Sequence, residues 1–272
     1  GDHRDLHSFP TRRSSDLNNV VANQVSEDSN EVIDGENVDV YYLDVGQADS
    51  ILVQSNGINM LIDAGTNDMG KTVVKDLQDL GVKKIDVLIG THPHEDHIGG
   101  LDDVIKNFDI GTIYMPKVQT NTKTFEDVLD AINEKGLKIT SPEVGYKFNV
   151  GNAVCEVMNC GTGTSEEKSN LNLSSIVIRM TYGEQSFLFM GDAETKNEEA
   201  RSWPQTNVLK VGHHGSNTSS SQSFLEQVKP QKVILDRLNK MGIKIYRTDE
   251  SGTIKITCDG KENKVEFVKF DN

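Results

Sequence analysis

From position 38 onward the chain carries short β-branched apolar runs set apart by turn residues, and those at 38–45, 50–54, 58–63 and 85–91 predict strands. Between the last two, Val73, Val74, Leu77 and Leu80 recur at helical spacing and Gly81 supplies a stop, which predicts a helix over 71–81. The same reading predicts strands at 111–115, 153–158, 174–182, 185–190, 208–211, 232–235, 253–257 and 265–270, and helices at 97–107, 124–135, 195–201 and 221–228. An early run of strands followed by mixed strand and helix units predicts an α/β (α+β) fold, two sheets packed together with helices outside. No segment repeats another. At 272 residues the chain is long enough for one large domain, placed at 38–272.

The first 37 positions break this pattern. Residues 1–17 show no sustained periodicity and no apolar stretch of signal-peptide type, and the run 5–17 resembles translated sequencing-adapter read-through, so this extension and its His3 and His7 are set aside. Residues 18–37, rich in Asn, Ser, Asp and Glu, read as a flexible acidic linker of the kind that precedes exported or anchored domains, which favours an extracytoplasmic location. Nine of the 42 acidic and three of the 28 basic residues fall in 1–40, so the tail carries -6 of the net -14 and the remainder -8. That acidity argues against a strong hold on duplex DNA, whose phosphates are neutralised by Lys and Arg. No window reaches the roughly 18 apolar residues of a membrane span. Cys155, Cys160 and Cys258 lack CxxC spacing and read as small buried residues.

The chemistry concentrates at strand ends. In Thr91-His92-Pro93-His94-Glu95-Asp96-His97, His92 and His94 alternate at the end of an apolar strand, while Asp96 and His97 fall where the next helix begins. No core or cap requires so many metal-type side chains in one turn. Imidazole and carboxylate suit zinc, manganese or iron, and two ions about 3.5–4 Å apart can activate a water and clamp both oxygens of a displacement. Such a pair needs a bridging carboxylate, and Asp192 follows the apolar run Phe187-Leu188-Phe189-Met190 directly after Gly191. The next apolar run ends in His213-His214. Taken alone, Asp192 reads as a turn residue and the paired histidines as surface or capping groups; their order behind the first cluster makes them candidates.

These residues resemble the metallo-β-lactamase superfamily, and within it the ComEC-type hydrolase domain associated with competence DNA uptake. The matches are Asp44-Val45-Gly46-Gln47-Ala48-Asp49-Ser50, Leu61-Ile62-Asp63-Ala64-Gly65, residues 91–100, Phe189-Met190-Gly191-Asp192, residues 209–216 and Tyr246-Arg247-Thr248-Asp249-Glu250-Ser251-Gly252. The resemblance implies a four-layer αββα sandwich of two mixed sheets and a hydrolytic site with two divalent ions, Zn or Mn. It implies that His92 and His94 bind one ion, Asp96 and His97 the second, and that Asp192 bridges them. His214 is favoured over His213 to complete the second ion's shell, which leaves His213 to contact the substrate's developing charge and Asp96 to orient the attacking water. Asp63 matches an acid that orients a ligand histidine, although a turn Asp before Gly65 is the alternative. Asp44, Gln47 and Asp49 are placed at the rim of the site, with a polar turn as the alternative.

Two departures stand out. No histidine lies between His97 and His213; Asn170, Asn172 and Ser174 occupy the stretch where many superfamily hydrolases have one. A site poorer in ligands favours exchangeable ions such as Mn²⁺ beside Zn²⁺ and makes β-lactam hydrolysis a weaker reading. The second is at 233–242, where strand periodicity runs into helix periodicity without a turn, as though an active-site loop had been lost near 235–236. The expected activity is a metal-dependent phosphodiesterase or nuclease acting on single-stranded DNA or a small phosphodiester, from a monomer. The alternatives are a phosphocholine esterase, a lactam or thioester hydrolase, or an impaired DNA-uptake module that only binds.

Overall fold

A computed structural model describes residues 37–234 and 243–270. Among these residues the strands form two sheets. The first opens as an antiparallel meander of β1 (Val38–Tyr42), β2 (Ile51–Ser55) and β3 (Ile58–Ile62), to which β4 (Lys84–Ile89), β5 (Asp109–Tyr114) and β6 (Ile139–Thr140) add in parallel. The second runs antiparallel through β7 (Lys147–Val150), β8 (Ala153–Asn159), β9 (Val177–Tyr182) and β10 (Gln185–Phe189), then parallel through β11 (Val208–Lys210), β12 (Lys232–Ile234) and β13 (Lys244–Tyr246). The chain then returns to the first sheet with β14 (Thr253–Cys258), which pairs with β1, and the edge strand β15 (Asn263–Val268).

The period-2 alternation decides which residues face which layer. In β3, Met60 and Ile62 join Val40, Val53, Ile178, Phe187 and Phe189 in a core between the sheets, whereas Leu61 turns outward. The outward set packs under α1 (Gly70–Asp79), α2 (Glu95–Ile98), α3 (Leu101–Asn107) and α4 (Lys123–Glu134), through Val73, Leu77, Ile98, Leu101, Val104, Phe125 and Val128. After the short α5 (Ser165–Ser169) and α6 (Thr195–Glu199), α7 (Gln222–Val228) covers the outer face of the second sheet with Phe224, Leu225 and Val228 against Leu188, Leu209 and Val233. The last helix, α8 (Thr248–Ser251), links β13 to β14. The result is the expected pair of mixed sheets with helices outside, held by burial of apolar area at roughly 25 cal/mol per Å².

Several boundaries differ from the sequence expectation. The strand expected over 38–45 ends at Tyr42, because the chain turns through Gly46 at a φ of +70° and comes back at Leu43 N donating to Ser50 O. The helix expected over 97–107 is two helices, α2 and α3, parted at Gly99-Gly100. A Cβ on Gly100 would sit 2.3 Å from the Ala64 carbonyl, so the helix start is pressed against the loop after β3. The strand expected from 174 begins at Val177, after a single 3-10 turn at Leu171–Ser174. Elements as short as β6, β7, β13, α5 and α8 carry too few residues for periodicity to register. The extension, nearly all of the linker and the suspected loop loss at 235–236 lie outside the described residues. No helix of the described residues is long and apolar enough to cross a membrane.

Candidate metal centre

Parallel pairing brings four strand ends to one rim. Ile62 of β3 is opposite Ile89 of β4, and Phe189 of β10 is opposite Lys210 of β11, so the segments that follow each strand converge. They carry Asp63, residues 91–97, Asp192 and His213-His214. Asp63, His213 and His214 all adopt positive φ, at 59°, 47° and 47°. Such backbone costs about 1–3 kcal/mol for a residue other than Gly and persists where its surroundings impose it.

Three groups of ligand-type atoms form, each with its members within 4.8 Å of one another: His92, His94 and Asp192; Asp96, His97, Asp192 and His214; and Asp49, Asp63 and His97. Asp192 is common to the first two, and its two oxygens divide between them. Oδ2 is 3.8 Å from His92 Nε2, whereas Oδ1 is 3.1 Å from His97 Nε2 and 3.6 Å from His214 Nε2. Asp96 Oδ2 is 3.1 Å from His214 Nε2.

The ring orientations are fixed from behind. His97 Nδ1 lies 2.8 Å from Asp63 Oδ2, and Asp63 also accepts from Thr91 N at 2.8 Å and Thr91 Oγ1 at 2.7 Å. His214 Nδ1 faces Asp49 Oδ1 at 3.5 Å. With each Nδ1 turned to a carboxylate, the two Nε2 atoms meet at 3.2 Å; His92 Nε2 and His94 Nδ1 likewise meet at 3.0 Å. Asp192 Oδ1 is buried and accepts no hydrogen bond. Nitrogens converging in pairs beside a buried carboxylate oxygen without a donor are the donor set a divalent cation satisfies, so the residues present fit the ions that the fold family implies. Burial drives His92 well below its ordinary pKa, with His97 adding to the effect, which keeps its ring a neutral ligand. Asp192 stays ionised: burial opposes its charge, but the neighbouring His97 outweighs burial and holds its pKa far below the ordinary carboxylate range.

The structure therefore brings together His92, His94, Asp96, His97, Asp192 and His214, with Asp63 behind His97. His213 stands at the edge, 31% exposed at its side chain, with Nε2 3.9 Å from Asp192 Oδ2 and Nδ1 2.9 Å from Thr218 Oγ1. Asn170 and Asn172 do not join any of the groups; both donate to Glu194, at 2.8 and 3.1 Å, and Asn172 Nδ2 lies 3.4 Å from the His213 ring. Of the three residues expected at the rim, Gln47 is exposed and lines a cavity beside His214. Asp44 is exposed in its turn, accepting from Gly46 N. Asp49 lines the same cavity but is only 4% exposed and is ion-paired with Lys210. Lys210 and Glu194 escaped the sequence reading. A lysine inside the apolar run Val208-Leu209-Lys210-Val211 was the available signal for the first, since Lys is almost never buried unless paired; nothing local marks Glu194.

This fold and this pairing of His/Asp groups define a class. Residues 43–235 match the metallo-β-lactamase superfamily, and the chain belongs to it. It is similar to ComE operon protein 3 of Bacillus subtilis strain 168, 29% identical over 256 residues that cover 80% of this chain and 32% of that protein. To recombination protein 2 of Haemophilus influenzae it is 33% identical over 205 residues, covering 71% and 23%. Both relatives agree with the ComEC-type resemblance, and the chain spans about a third or less of their length. A solved diphosphatase of the PhnP family shares the fold, with a TM-score of 0.51 at 15% identity over 82% of this chain and 98% of that one.

Proposed function

We propose that this domain is a two-metal phosphodiesterase that cleaves single-stranded DNA or a small phosphodiester. The observation that carries the reading is the division of Asp192, one oxygen toward His92 and the other toward His97 and His214. In this reading His92, His94 and Asp192 hold one ion, and Asp96, His97, His214 and Asp192 the other. Bound ions supply Lewis acidity toward a phosphoryl oxygen and a more acidic water. The chain's own residues do the rest. Asp63 and Asp49 hold the rings of His97 and His214 so that Nε2 faces inward. Asp96, its side chain 36% exposed, is the carboxylate open enough to accept a proton from an attacking water. His213, held by Thr218 and Glu194, presents Nε2 to charge that develops on the substrate.

The phosphodiester preference draws on the relative named for recombination, on the ComEC-type resemblance and on the absence of a histidine between His97 and His213. The domain's acidity favours a substrate held by ions and pocket contacts over tight duplex binding. The experiment is a panel of bis-p-nitrophenyl phosphate, single-stranded DNA and nitrocefin with Mn²⁺ or Zn²⁺. Turnover of the two phosphodiesters is expected, and hydrolysis of nitrocefin alone would overturn the reading.

A further inference from the structure

Among the described residues three large apolar side chains are exposed, Val144, Tyr146 and Phe267, and the first two lie in the turn between β6 and β7. Val144 is 52% exposed and Tyr146 41%. The Tyr146 ring is braced by two others. Tyr114 meets it edge-on, with centroids 6.0 Å apart and its hydroxyl donating to the Tyr146 hydroxyl at 3.4 Å, and Phe148 stacks against it at 6.1 Å. The backbone is fixed as well, because Val157 N donates to Tyr146 O and Gly145 N to Val157 O. A ring that is held in place and still open to solvent offers a large contact area at little further cost in entropy on binding.

Its place in the fold relates it to the metal centre. Ile89 of β4 is opposite Tyr114 of β5, and Tyr114 is opposite Thr140 of β6, all in parallel, so the segments that follow these strands leave at one rim. In order across the sheet they carry His92 and His94, then Lys117, then Val144 and Tyr146. With neighbouring strands about 4.7–4.9 Å apart, the last segment leaves the sheet about 10 Å from the first. Lys117 is exposed and makes no ion pair among the described residues, while its backbone N donates to Gly161 O at 3.0 Å. The His/Asp groups, a cation and an exposed ring thus follow one another along the rim.

We propose that Tyr146 is a stacking platform for a nucleobase of single-stranded DNA whose scissile phosphodiester lies at the metal centre, and that Lys117 meets a phosphate between the two. Every base has a face to stack, and a cation on the backbone with an aromatic ring beside it is the arrangement that holds single strands. A duplex keeps its bases paired and stacked inside and offers none to the ring. The platform rests on the phosphodiester reading above and deepens it, by choosing the single strand over a small phosphodiester as substrate.

The test uses the metal-loaded chain. Its kcat/KM for an oligothymidylate is compared with that for bis-p-nitrophenyl phosphate, and fluorescence anisotropy measures Kd for a labelled oligothymidylate whose phosphorothioate linkages resist cleavage. Tyr146→Ala should weaken Kd by about fivefold to a hundredfold and lower the ratio of the two kcat/KM values by a similar factor, mainly through the oligonucleotide's KM. Tyr146→Phe keeps the ring and should restore both readouts. Should Tyr146→Ala fail a circular dichroism check of its fold, Tyr146→Leu keeps apolar bulk without the ring and carries the same expectation. Lys117→Gln should reduce the slope of log Kd against log salt by about 0.7. Binding indifferent to loss of the ring, a loss that Tyr146→Phe shares, or a duplex bound as tightly as the single strand overturns the platform, and a salt slope that Lys117→Gln leaves unchanged removes the phosphate contact. A chain that cleaves both substrates but binds without regard to Tyr146 leaves the phosphodiester reading standing. A chain that cleaves neither and still binds the strand through Tyr146 removes that reading and keeps the platform.

Discussion

Lys210 donates to Asp49 where both side chains are only 4% exposed, and the same carboxylate faces Nδ1 of His214 at 3.5 Å. Burial works against the charge on Asp49, but Lys210 and then His214 reverse it and keep the carboxylate ionised. Removing one partner of a buried pair leaves the other charge uncompensated, and Lys210→Met is expected to destabilise the fold by about 3–5 kcal/mol. The double variant with Asp49→Asn should recover most of that loss. Urea unfolding of the metal-free protein measures it; a Lys210→Met variant as stable as the parent would mean the pair carries no such weight.

Metal uptake should depend on pH through His214. In the metal-free protein burial opposes a charge on this ring, but Asp49 and then Asp96 outweigh it and push its pKa up to about 9, from an ordinary 6.5. A raised folded-state pKa contributes stability that is full below about 6.5 and lost as pH rises through about 9. A cation at Nε2 must displace that proton. Affinity for Zn²⁺ or Mn²⁺ is therefore expected to rise across this window, with proton release seen as a binding heat that varies with the buffer's ionisation enthalpy. Affinity that is flat between pH 6.5 and 9 contradicts the assignment of His214.

Asp63 touches the His/Asp groups through His97. It accepts from Thr91 twice and from the ring once, and its φ of 59° is one that Asn also tolerates. Asp63→Asn should keep the fold but loosen the orientation of His97, weakening metal affinity by about 10- to 100-fold. Chelator competition measures the affinity, and circular dichroism checks the fold. Unchanged affinity would reduce Asp63 to a turn residue, the alternative its sequence neighbourhood allows.

Much of this centre was legible because metal chemistry needs particular side chains at strand ends. Residues 91–97 put four of them in one turn, and the apolar runs before Asp192 and His213 showed that each is delivered by a strand. Of the two adjacent histidines, His214 lies with Asp96, His97 and Asp192, whereas His213 stays outside the groups. What local pattern could not give was burial. Asp49 and Asp44 lie in the same polar turn, five positions apart, yet one is sealed under Lys210 and the other is exposed. That difference is set by β11 of the second sheet, 161 residues away in sequence from Asp49, and no window on the turn contains it. The helix expected over 97–107 failed for a related reason: the contact of Gly100 with the Ala64 carbonyl is tertiary, and helical spacing on either side conceals the break.

Asp76 provides a stability test outside the His/Asp groups. It lies on the buried face of α1 with Val73 and Leu77, and is 5% exposed. Burial, only partly offset by Lys75 and reinforced by Asp79 and Asp44, pushes its pKa up to about 6 from 3.8. The folded state thus holds this proton more tightly than the unfolded chain, so the associated stability is present below about 4 and lost as pH rises through about 6. Asn fills nearly the same space without the charge. Asp76→Asn is therefore expected to be more stable than the parent above pH 6, by on the order of 1 kcal/mol once partial hydration of the carboxyl is allowed for, and equal to it near pH 4. Thermal unfolding at the two pH values reads the difference directly. A variant that gains nothing at pH 8, or gains as much at pH 4, would show that Asp76 is not the strained carboxylate its burial implies.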